Sequence, residues 1–72
     1  MTKLEAEIEY YNGYARGLEY AQSQDARQVR KEIDHAKAVL EHLEKGSALG
    51  YFRVGRIEGM RHALKLKVQD RP

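Results

Sequence analysis

Gln22-Ser23-Gln24-Asp25-Ala26-Arg27 is the stretch on which the fold turns. Before it, Leu4, Ile8, Tyr11, Ala15 and Leu18 recur at alternating steps of four and three, which places them on one helical stripe. After it, Val29, Ile33, Ala36, Leu40 and Leu43 take the stripe up again. If the polar lapse is a break, a first helix covers about residues 2–22 and a second about 25–45. Asp25 can then accept from first-turn N–H groups, with Gln28 three residues on to complete a capping box. No glycine or proline lies between Leu18 and Lys45, so the chain can also run through. A merged helix would be about twice as long as its returning partner and would need a second chain to cover it, as in a dimeric helical hairpin.

The next boundary is sharper. Gly46 follows Lys45 where a helix C-terminus needs the left-handed conformation, and Ser47 is placed to cap the third helix. That third segment, about 48–68, carries two apolar stripes: Leu49, Phe52, Gly59, Ala63 and Leu66, and also Val54, Ile57, Leu64 and Val68. Two stripes suit a helix with two neighbours. Three segments of similar length predict an all-α fold, a small three-helix bundle with helices at about 2–22, 25–45 and 48–68, forming one domain over 1–72.

Seventy-two residues leave little room for a core, and with no cysteine there is no disulfide to compensate. Oligomerisation is the remaining support, so a homodimer is expected. No run approaches the roughly 20 apolar residues of a membrane span, and Met1-Thr2-Lys3-Leu4-Glu5 does not open a signal peptide. The expectation is a cytoplasmic chain without a membrane partner. Residues 1–45 hold seven Lys or Arg against nine Asp or Glu, whereas residues 46–72 hold six against two. That polarity either steers an acidic partner or complements the acidic first turn, Glu5, Glu7 and Glu9, inside the same bundle.

Gly13 and Gly17 stand one helical turn apart in the first helix, and Gly55 and Gly59 repeat the spacing in the third. Each costs up to about 1 kcal/mol relative to alanine inside a helix. Such pairs leave a groove that lets another backbone approach. Helices one and three of a three-helix bundle run parallel, so the two grooves are expected either to meet each other or to pack across a dimer axis.

Tyr10, Tyr11, Tyr14, Tyr20, Tyr51 and Phe52 are too many rings for one small core, and Tyr10, Tyr11 and Tyr14 spread over more than one helical face. Exposed tyrosine and arginine mark protein-binding surfaces. The expected partner-binding residues are Tyr10, Tyr14, Arg16, Tyr51, Arg53 and Arg56.

Reactive signatures are sparse. Glu32 and His35 have the Glu-x-x-His spacing of helical metal sites, and Glu58 and His62 lie four apart, but neither forms a full ligand set, so no metal or other cofactor is expected. His35 and His42 share a face as solvated histidines. No serine or threonine sits in a nucleophile elbow, and no glycine loop follows a strand. The basic residues Arg53, Arg56, Arg61, His62, Lys65, Lys67 and Arg71 offer a nucleic-acid alternative, although the third helix opens with Ala48-Leu49-Gly50-Tyr51-Phe52 rather than polar base readers. The leading expectation is a non-enzymatic regulatory module, a helical homodimer that recognises another protein.

Overall fold

The computed structural model describes residues 2–69 as three helices, α1 (Lys3–Ser23), α2 (Ala26–Leu40) and α3 (Ala48–Gln69), packed together, with no strand among the described residues. α1 begins where Thr2 Oγ1 accepts from the Glu5 N–H (3.1 Å) and the Glu5 carboxylate accepts from the Thr2 N–H (3.3 Å). This reciprocal capping box satisfies two of the donors that a helix start leaves open.

The polar lapse is a break. Gln24 and Asp25 are extended, and Asp25 caps α2 by accepting from the Gln28 N–H at 2.8 Å. Gln28 does not close the box; its amide donates to the Tyr20 hydroxyl across the turn at 3.4 Å. The merged long helix is therefore excluded. α2 ends at Leu40 rather than Lys45, because the chain tightens to three-residue hydrogen bonds, His42 N–H to Val39 and Leu43 N–H to Leu40, as it starts to reverse. The reversal is completed at Gly46, with φ +80°, and Ser47 Oγ accepts from the Gly50 N–H at 3.0 Å to start α3.

α1 and α3 run in the same direction and pack through backbone. Gly13 lies beside Phe52 and Arg56, and Gly17 beside Arg56 and Met60. In return, Gly55 lies against Tyr10, and Gly59 against Tyr14 and Leu18. A Cβ at any of the four would overlap a carbonyl oxygen of the opposite helix, that of Phe52, Arg56, Tyr10 or Tyr14. The two grooves thus meet each other within the chain. At each glycine a hydrogen stands where that Cβ would be, so the facing carbonyl sits over a Cα–H, a weak attraction of about 0.5–1 kcal/mol.

The core is small: Ala21, Val29, Ile33, Ala36, Ile57, Met60 and Ala63, with Leu18, Tyr20, Leu40 and Leu64 packed around it. It lies where α2 meets α3 and the C-terminal half of α1. The stripe expected on α2 is the buried one. The stripe expected on α1 is not: Leu4, Ile8 and Tyr11 are 66%, 50% and 64% exposed, and Ala15 is exposed too. At 100° per residue, Gly13 and Gly17 lie on the far side of α1 from that stripe, and α3 docks on the glycine side because only there can two backbones come this close. On α3, Ile57, Gly59 and Ala63 are buried, whereas Leu49, Val54, Leu66 and Val68 are exposed. No described helix is long and apolar enough to cross a membrane.

Candidate interaction surface

On the side of the α1–α3 pair that α2 leaves open, the seam is bordered by aromatic rings. Tyr10 meets Tyr11 edge to face, with centroids 5.4 Å apart, and stacks on Tyr14 at 6.4 Å. Tyr14 leans on His62 of α3, and its hydroxyl hydrogen-bonds His62 Nδ1. The glycines permit this arrangement. The backbones of Tyr10 and Tyr14 lie directly against Gly55 and Gly59, so their rings border the joint with no opposing side chain in the seam itself. Burial, and then the nearby Glu58 carboxylate, push the Tyr10 hydroxyl above the usual tyrosine range.

Tyr51 shares a shallow hollow with Tyr10, Lys3, Ala6 and Glu7. A second hollow on the same side is lined by Tyr14, Glu58, Arg61, His62 and Lys65. Leu4, Ile8 and Tyr11 continue the surface around the outer edge of α1. Lys3 and Glu7 stand at the end of this surface near the start of α1, and Glu58, Arg61 and Lys65 toward the C-terminal end of α3.

The six expected partner-binding residues do not form one patch. Tyr10, Tyr14 and Tyr51 lie on this surface. Arg16 lies elsewhere, in a hollow with Glu19, Tyr20, Ser23 and Arg56. Arg56 is held inside the bundle, donating to Glu32 of α2 at 3.0 Å with its guanidinium 5.2 Å from the centre of the Tyr20 ring. Arg53 is half-buried, and its Nε is enclosed without a partner among the described residues. Arg56, held by Glu32, presents no free guanidinium, whereas only the Nε of half-buried Arg53 is enclosed.

The other candidates are engaged too. Glu32 pairs with Arg56, Glu58 with Arg61 at 3.5 Å, and His62 with Tyr14, while His35 and His42 are solvent-exposed. The described residues contain no group of three or more His, Asp or Glu side chains gathered as metal ligands. Of the candidate phosphate contacts, Arg53 is half-buried, Arg56 is held by Glu32, Arg61 by Glu58, and Lys67 donates to the Gln24 carbonyl at the α1–α2 turn. Of these candidates among the described residues, Lys65 is the one that is exposed and has no ion-pair or hydrogen-bond partner, and Arg71 lies outside the described residues. The missed surface residues are Leu4, Ile8 and Tyr11, whose stripe reads as core unless the glycine side is recognised as the docking side. No protein-family model matches the chain, and comparisons with curated proteins and with solved structures give no significant match.

Proposed function

We propose that the protein is a small protein-binding, regulatory module that works as a helical homodimer and recognises another protein, using the open side of the α1–α3 pair as its contact surface. The observation that carries this reading is the α1 stripe, where Leu4, Ile8 and Tyr11 stand 50–66% exposed at the spacing of a helix interface. Single exposed apolar side chains are ordinary; an aligned set beside a tyrosine cluster marks an association site. Burying one such side chain fully is worth roughly 1.5–3 kcal/mol, which a partner supplies and the monomer does not.

In this reading the chain performs no chemistry of its own, and a cysteine-free sequence suits a cytoplasmic setting. The nucleic-acid alternative is weakened because Arg56 is held by Glu32, Arg61 by Glu58 and Lys67 by the Gln24 carbonyl, which breaks up the basic face of α3.

The test is photo-crosslinking in living cells from a benzophenone amino acid placed at Tyr11, with exposed Arg30 of α2 as the control position. Protein adducts at position 11, whether to itself or to another chain, and few at position 30 are the expected result. Equal yields at the two positions would overturn the assignment of this face.

A further inference from the structure

Building on the proposed contact surface, we infer that its occupant is one amphipathic helix of another protein, docked antiparallel to α1 in the way that α2 docks on α3. The ground for this is an internal symmetry. Tyr10, Gly13, Gly17, Leu18 and Ala21 of α1 are matched 42 positions on by Phe52, Gly55, Gly59, Met60 and Ala63 of α3. The contacts obey the same offset. Gly13 faces the Phe52 carbonyl and Gly55 that of Tyr10; Gly17 faces the Arg56 carbonyl and Gly59 that of Tyr14. α1 and α3 are thus related by an approximate two-fold axis along their seam, as in a parallel pair of identical helices joined through Gly-x-x-x-Gly.

Side chains outside the seam follow the axis too. On the open side Tyr14 leans on His62; on the α2 side their counterparts meet, with the Arg56 guanidinium over the Tyr20 ring. The hollow of Arg16, Glu19, Tyr20, Ser23 and Arg56 corresponds, position by position, to that of Glu58, Arg61, His62, Lys65 and Tyr14. The pair therefore has two equivalent faces, and α2 covers one of them. Ile57 and Met60, in the core that α2 closes, are 5% and 0% exposed, whereas their counterparts Ala15 and Leu18 are exposed and half-buried. Gly50 is buried and Arg53 half-buried, whereas their counterparts Ile8 and Tyr11 are both exposed.

What α2 does on the covered face sets the chemistry of the occupant. It lies antiparallel to α3, with Gln24 at Lys67 and Glu32 on Arg56. It buries Val29, Ile33 and Ala36, the spacing by which a helix anchors in a groove. On the open face Ile8, Tyr11 and Leu18 supply the apolar seat. By the same symmetry, an acid in the place of Glu32 would stand beside Tyr14 and His62. There Glu58 is already paired with Arg61, and exposed Lys65, with no ion-pair or hydrogen-bond partner among the described residues, is left to receive the acid.

The chain has no cysteine, so single-cysteine labelling tests the inference on the full chain. Ala15→Cys places a thiol under the docked helix. Glu19→Cys is the control, because its counterpart Arg61 stays exposed with α2 in place. The probe is a second copy of residues 25–40 attached after Pro72 through a flexible Gly-Ser linker of about 10 residues, which holds it at roughly millimolar effective concentration. Alkylation of the Ala15→Cys thiol should slow at least about fivefold when the copy is attached, and that of Glu19→Cys should not change. Glu32→Lys within the copy should restore the fast rate. An Ala15→Cys thiol that the copy does not slow would overturn the helix as occupant, and slowing that survives Glu32→Lys unchanged would overturn the acid. Slowing without the copy, as the concentration of the chain rises, would overturn the partner helix in favour of a second copy of this chain. Adducts from Tyr11 to another protein beside an unslowed thiol would keep the contact surface and overturn only its occupant; no adducts would remove both.

Discussion

Gly17→Ala puts the helix seam to a direct test because two effects act on it with opposite sign. Alanine is favoured over glycine inside a helix by about 1 kcal/mol, so propensity alone predicts a more stable protein. Packing predicts the reverse. The added Cβ would overlap the Arg56 carbonyl oxygen and stand 3.0 Å from both the Arg56 carbonyl carbon and the Met60 nitrogen. None of these atoms belongs to a side chain that can swing away, so α1 and α3 must part by about 1 Å, a gap that forfeits a quarter to a half of the dispersion energy across the joint. The Cα–H contacts at the other three glycines, about 0.5–1 kcal/mol each, loosen with it. Overpacking of this kind costs roughly 1–3 kcal/mol, occasionally more.

The net expectation is a loss of about 2–3 kcal/mol, a large share of the roughly 4–11 kcal/mol available to a chain of this length. With a urea slope near 1 kcal/mol per molar for so small a protein, the midpoint should fall by about 2–3 M. The assay is urea unfolding followed by circular dichroism at one fixed protein concentration, since association would shift the midpoint. Ala15→Gly on the exposed side of α1 is the control, expected to lose only the propensity term of about 1 kcal/mol. A Gly17→Ala protein with a higher midpoint and native helix content would refute the backbone contact.

Three further measurements address the remaining elements. Asp25→Ala removes the α2 cap and should lower stability by about 1 kcal/mol; an unchanged urea midpoint would mean that the cap does not stabilise the α1–α2 break. Met60, with no exposed surface, should cost about 2–5 kcal/mol as alanine, whereas Leu66, 48% exposed, should cost well under that; equal losses would place the core elsewhere. In an alkaline absorbance titration, Tyr10 should ionise above the usual tyrosine range, and Tyr10→Phe should abolish that late component. The folded state favours the neutral phenol, so Tyr10 leaves stability unaffected below about pH 10 and reduces it above, where the unfolded chain loses its proton first. A late part of the titration that survives Tyr10→Phe unchanged would contradict this.

How much of the fold and the surface is legible in the sequence differs from helix to helix. α2 reads correctly because its core contribution, Val29, Ile33 and Ala36, is made by apolar side chains that periodicity detects, and because Asp25 caps as its residue type suggests. The reversal at Gly46 is legible from glycine's freedom to take positive φ. The end of α2 is not, since Leu43 falls on the same stripe whether the chain stays helical or tightens at Leu40. α1 misreads for a definite reason: its buried residues are Gly13, Gly17 and Ala21, which carry little or no apolar weight, while Leu4, Ile8 and Tyr11 carry a great deal. A helical wheel says which residues share a face and not which face docks. The same limit applies to Arg56, whose inward orientation depends on where α2 lies, with Glu32 placed to receive it.

The glycine seam explains why so much apolar surface is left outside. Four glycines cost up to about 4 kcal/mol of helix propensity. The Cα–H contacts they permit return about 0.5–1 kcal/mol each, so on its own terms the seam is close to neutral. What it changes is the side of α1 that faces the chain's own core. Had Leu4, Ile8, Tyr11 and Leu18 docked on α3, ordinary side-chain burial would have held the pair without the glycines. Because the backbone-to-backbone joint occupies the other side, Leu4, Ile8 and Tyr11 contribute little to the monomer and are free to contribute to association. The arrangement predicts a division of effects: substitutions at Gly13, Gly17, Gly55 and Gly59 should act on folding, and those at Leu4, Ile8 and Tyr11 on association. A stability loss from Ile8→Lys as large as that from Gly17→Ala, measured at concentrations where the native chain is monomeric, would show that the two sides of α1 are not separable in this way.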